Sequence, residues 1–103
     1  MDDKFLLFEN WFKSQKKIWS DVGITVTDTS YNEKTDKIYH SYTIELSAKN
    51  SEGTIKLFES NGIYWVDLEC VNFDKNEIFC ISVDSENTED ISEHIKKFET
   101  VMT

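Results

Sequence analysis

The sequence has no proline, two cysteines, two histidines and three glycines, each on its own. Each scarcity closes a class of function. Gly23, Gly53 and Gly62 are each assigned to a turn or a helix cap, so no glycine-rich phosphate loop exists, and neither a GxSxG elbow nor an HExxH helix is present. Cys70 and Cys80 lack CxxC spacing, and His40 and His94 fall in different predicted elements, far short of a zinc constellation. The expectation is therefore no cofactor, no metal and no catalytic residue. No apolar run approaches the roughly 18 residues of a membrane span. Met1, Asp2 and Asp3 lack the cationic start of a secretory signal, which predicts a cytoplasmic chain with reduced thiols rather than a disulfide.

Positive charge is scarce as well. Eleven Lys+Arg against 20 Asp+Glu leave a formal charge of −9 on 103 residues. Nucleic acid and anionic membranes both demand a cationic footprint and are excluded as partners, so the natural partner is neutral or basic. Although 30% of residues are charged, 39% are hydrophobic and 14% aromatic, enough apolar surface for one folded domain spanning 1–103 and too short a chain for two.

The pattern predicts an α+β fold. Over 3–21, Phe5, Phe8, Phe12 and Trp19 recur at helical spacing with Leu7, Trp11 and Ile18 beside them, a wide stripe that should bury one broad face. Asp2 or Asp3 supplies the N-cap, Gly23 the left-handed C-cap, and Lys13, Lys16 and Lys17 sit in the last turns. Ile24 and Val26 then alternate with threonines before a polar loop over 32–37. In strand two, Ile38, His40, Tyr42, Ile44, Leu46 and Ala48 share one face.

Asn61 and Gly62 between two apolar alternations predict a two-residue hairpin joining strands 54–59 and 63–71, with Phe58 opposite Trp65, Lys56 opposite Asp67 and Ile55 opposite Leu68. A four-residue connection before Gly53 places Leu46 opposite Ile55 and Ile44 opposite Leu57, so Glu45, Lys56 and Asp67 line up across the outer face. A fifth strand, 78–83, directs Phe79, Ile81 and Val83 inward and Cys80 away from Cys70. Ile91, Ile95, Phe98 and Met102 mark a last helix, capped by Asn87 or Thr88 with Glu89 and Asp90 in its first turn. The economical assembly is an antiparallel meander of about five strands with both helices on one face.

Isolated reactive residues read as structural. His40 is a core-edge histidine, Cys70 a small core residue, and Cys80 a thiol held protonated by acidic surroundings; Glu93 and His94 lack further metal ligands at the right spacing. The outer sheet face is more informative. It carries Phe58 beside Trp65, with Ile63 and Tyr39 near them and Glu45, Asp67 and Glu69 around them. An aromatic centre with a charged rim is the anatomy of a protein interface; cross-strand stabilisation, or a third layer over this face, accounts for the same pattern.

The segment from Gly53 to Glu69 (GTIKLFESNGIYWVDLE), together with the aromatic N-terminal helix and the acidic-start helix 86–102, resembles the small TriTu-type immunity proteins. These protect bacteria from Rhs-linked ADP-ribosyltransferase toxins that modify elongation factor Tu. The resemblance implies a non-catalytic, monomeric inhibitor that binds a basic cognate toxin domain one to one, covering its active cleft or its target-docking surface. A small acidic adaptor or dimerising domain would use the same aromatic patch on another protein or on itself.

Overall fold

The computed structural model describes residues 2–34, 39–84 and 88–103, with the backbone alone at 34, 39 and 88–90. Helix α1 (Asp3–Asp21) opens on Asp2, whose Oδ1 accepts the Phe5 N–H at 3.1 Å. It closes in a Schellman arrangement: Gly23 at φ +86° lets its own N–H reach Ser20 O and the Ile24 N–H reach Trp19 O. The final turn holds no basic residue, so Lys13, Lys16 and Lys17 lie earlier than expected. Lys13 pairs instead with Glu9 one turn back, at 3.4 Å.

Strands β1 (Thr25–Lys34), β2 (Tyr39–Ala48), β3 (Ser51–Ser60), β4 (Ile63–Asn72) and β5 (Glu77–Asp84) form one antiparallel sheet in sequential order, followed by α2 (Thr88–Met102). Both helices lie on the same sheet face. Phe5, Phe12 and Trp19 of α1 and Ile95, Phe98 and Met102 of α2 are buried against Ile44, Leu46, Ile55 and Leu68. The broad stripe of α1 is only partly used, since Leu7 stays 68% and Ile18 52% exposed. The Asn87 cap lies outside the described residues.

The β3–β4 hairpin has the expected register, with Asn61 at φ 53° and Gly62 at φ 81° supplying a type I′ turn. The β2–β3 register does not. Leu46 faces Gly53 and Ile44 faces Ile55, a slip of two residues that preserves which face each side chain occupies. Gly53 is not a turn residue: it sits within β3, where a Cβ would come 2.7 Å from Phe98 Cζ. Glycine is there so that α2 can approach, and the turn is the pair Lys49 and Asn50. Strand β1 also runs on through 32–34, assigned above to a loop, because a bulge between Val26 and Asp28 shifts the alternation and turns Tyr31 inward onto Phe5.

Candidate protein-binding face

The sheet's outer face, opposite the helices, gathers the residues singled out from the sequence. One cross-sheet row runs Asn32, Ser41, Phe58, Trp65, Asp84, and the next runs Ser30, Thr43, Lys56, Asp67, Ser82. The I′ turn fixes the hairpin register and so puts Phe58 directly opposite Trp65. Their rings stack with centroids 5.1 Å apart and planes 11° apart. Ile63, 64% exposed, continues this face at the turn. The side chain of Tyr39 lies outside those described.

The expected row of Glu45, Lys56 and Asp67 is corrected by the β2–β3 slip. Thr43 stands opposite Lys56, and Glu45 falls one row away, opposite Thr54 and Asp28. Glu69 flanks Thr54 from the other side. The carboxylates therefore surround the aromatic pair on one side rather than form a single line. Lys56 Nζ lies over the Phe58 ring, 4.6 Å from its centroid. Asp67, across the ladder from Lys56, accepts no hydrogen bond from a described residue, and the Lys13–Glu9 pair is the one ion pair among the described residues. Ser41, opposite Phe58, buries its Oγ without a described partner.

The two thiols separate as expected: both are free, Cys70 buried on the inner face and Cys80 exposed on the outer. Burial pushes the Cys70 thiol up to about 11, and Cys80 is raised by desolvation and by Glu69 beside it. Neither is poised as a thiolate near neutral pH. Among the described residues no three His, Cys, Asp or Glu side chains converge as a metal site. No described helix is long and apolar enough to cross a membrane.

One feature of the helical side was not read from the sequence. Between α1 and α2 an apolar cleft of about 430 Å³ is floored by Ile55, Leu57 and Val66 and walled by Leu7, Trp11 and Ile91, with Lys4 at its edge. The signal was present in α1: Leu7 and Trp11 lie on the flank of the stripe centred on Phe5, Phe12 and Trp19, so a helix packed through that centre leaves them beside the floor rather than against it. No family model matches the chain, and no curated protein or solved structure matches it either.

Proposed function

We propose that this chain is a non-catalytic immunity protein of the TriTu type, acting as a monomer in the cytoplasm, which docks a basic ADP-ribosyltransferase toxin domain on its outer sheet face. The observation that carries the reading is the stacked Phe58–Trp65 pair within a carboxylate surround. Aromatic anchors supply the largest share of interface energy, and carboxylates steer and orient a cationic partner. Asp28, Glu45, Glu52, Asp67, Glu69 and Asp84 bring negative charge to this face, whereas Lys56 brings the one ammonium among the described side chains of its strands.

The test mixes the purified chain with a candidate cognate transferase domain and follows both binding and ADP-ribosyl transfer. Stoichiometric inhibition is expected, and Trp65→Ala should weaken binding by about 2 kcal/mol or more while leaving the chain folded. An unchanged dissociation constant for the folded variant moves the interface off this face. Absence of any complex overturns the immunity role. The exposed Ile78 and Phe73 beside the β5 edge favour a second reading, self-association, which a concentration-dependent dimer in sedimentation would establish in its place.

A further inference from the structure

We infer that the edge of β5 facing away from β4 takes an extended segment of a basic protein partner as a sixth strand, one whose side chains alternate between apolar and cationic. The inference rests on the reading of the chain as the binder of a basic protein, and adds where and in what form a segment of that protein lies. The two edge strands of the sheet are built differently. β1 carries devices that keep further strands from adding: a bulge between Val26 and Asp28, and the charges of Asp28, Glu33 and Lys34. β5 has none of these over 78–83. Ile78, Phe79, Cys80, Ile81, Ser82 and Val83 include no charge, proline or glycine, and their register with β4 runs unbroken. No described strand pairs with β5 on its far side, so the backbone N–H and C=O groups there form a template for another strand.

The two faces of β5 set what that strand must carry. On the helical face Phe79 and Ile81 stay half-buried, although Cys70 and Leu68 opposite them on β4 are buried. Apolar side chains on a flanking strand would cover the part left open. On the outer face Cys80 stands opposite Glu69, and Ser82 opposite Asp67. Both are small and leave a shallow trough between the β4 carboxylates and the edge. An added strand lies about 10 Å from β4, two strand spacings away, so a lysine or arginine stem lying over Cys80 or Ser82 brings its charge toward Glu69 or Asp67. Among the described residues Glu69 accepts the weak Cys80 thiol hydrogen bond at 3.8 Å, and neither carboxylate has a cation paired with it. A second copy of the chain fits this edge less well. Its own β5 would present Ile78, Cys80, Ser82 and Asp84 on the outer face, none of them cationic, and each copy brings a formal charge of −9.

The experiment titrates the intact chain with a fluorescein-labelled octapeptide of alternating valine and lysine, the length of β5, and follows its anisotropy. Two further peptides carry N-methyl groups on all the valines or on all the lysines. Successive N–H groups of a strand point to opposite sides, so one set faces β5 and the other faces solvent. One methylated peptide should lose at least about tenfold in affinity, and the other should stay within about threefold of the parent. Ser82→Lys and Ser30→Lys add the same charge at the two ends of one cross-sheet row. Ser82→Lys should weaken the parent peptide by about fivefold or more, through repulsion in the trough, whereas Ser30→Lys should change it by less than about twofold. Failure of the parent peptide to bind, or equal effects of the two methylations or of the two serine variants, would overturn the sixth strand. A chain that dimerises in sedimentation and loses the dimer on Ser82→Lys gives the edge to a second copy and overturns it as well. The toxin experiment separates the two claims. Toxin binding that is indifferent to Ser82→Lys removes the partner strand but keeps the immunity reading; strand-peptide binding with no toxin complex does the reverse.

Discussion

On the helical side of the sheet, three aromatic pairs meet edge to face, Phe5 with Tyr31 at 77°, Phe8 with Tyr42 at 75° and Trp11 with Trp19 at 83°, while Phe8 and Trp11 within α1 stack at 29°. On the other side Phe58 and Trp65 lie nearly parallel, at 11°. The helical-side rings project from two layers toward each other, or from a helix folded down onto the sheet, and interdigitation tilts one ring into the edge of the next. The outer rings stack face to face across two paired strands, with no described element above them. The inner rings thus lie between the helices and the sheet, whereas the outer pair stands in an acidic surround on a face with no described layer above it. Acidic residues line the face that no described element covers.

The contrast is broken most decisively at adjacent residues of β4. Leu68 is fully buried on the helical side, and Asp67 points the other way. Leu68→Ala should cost about 2–5 kcal/mol, from lost burial and the cavity it leaves. Asp67→Ala should change stability by less than about 0.5 kcal/mol. Urea unfolding at neutral pH measures both. A loss below about 1 kcal/mol at Leu68, or a comparable loss at Asp67, would show that the two faces do not differ in closure.

A smaller effect sharpens how closely the inner face is packed. A Cβ at Gly53 would meet Phe98 Cζ at 2.7 Å, Met102 Sδ at 3.0 Å and Cys70 Cβ at 3.1 Å. Gly53→Ala should therefore destabilise by about 1–3 kcal/mol through overpacking, more than offsetting what alanine gains over glycine in a strand. Combining it with Phe98→Leu, which withdraws the closest atom, should make the two losses less than additive. A stabilising Gly53→Ala would place α2 farther from β3 than the structure has it.

Gly53 also shows where the sequence stops being legible. Asn61 and Gly62 announce their turn because both residues must adopt positive φ, a local demand with a local signature, and the whole β3–β4 register follows from it. Gly53 answers a demand made by Phe98, 45 residues later, and nothing nearby distinguishes it from a turn glycine. The same holds at Thr27, where the bulge moves the inward positions of β1 from Ile24 and Val26 to Tyr31, so a strand that continues through polar residues reads as a loop. The aromatic pair was readable because it depends only on the hairpin. The position of Glu45 relative to it was not, because that depends on the β2–β3 turn. The inter-helix cleft was hidden for a further reason: it depends on where two helices settle across a sheet, which amphipathic spacing leaves open.

The smallest effect lies at the rim of the closed face, where α1 begins. Tyr64 donates its hydroxyl to Asp2 Oδ2 at 2.7 Å, and Lys4 Nζ stands 4.4 Å from the centre of the same ring. Burial works against the ionised Asp2, but the Tyr64 hydroxyl and the Phe5 N–H outweigh it and hold the carboxyl below its ordinary 3.8. A lowered folded-state value means stability that is present above pH 3.8 and is lost as pH falls through that lowered value. Tyr64 is pushed the other way, from 10.0 up to about 12, first by its bond to Asp2, so its contribution holds below pH 10 and is lost as pH rises through about 12. The pair therefore supports the fold between these limits. Because the contact is solvent-exposed, Tyr64→Phe should cost less than about 1 kcal/mol at pH 7 while keeping the ring under Lys4. In urea unfolding the gap between wild type and variant should be widest from about pH 5 to 9 and should shrink as pH falls below 3.8 and Asp2 takes up its proton. A gap that stays constant down to pH 2 would assign the loss to packing of the ring rather than to the hydrogen bond that ties the start of α1 to the sheet.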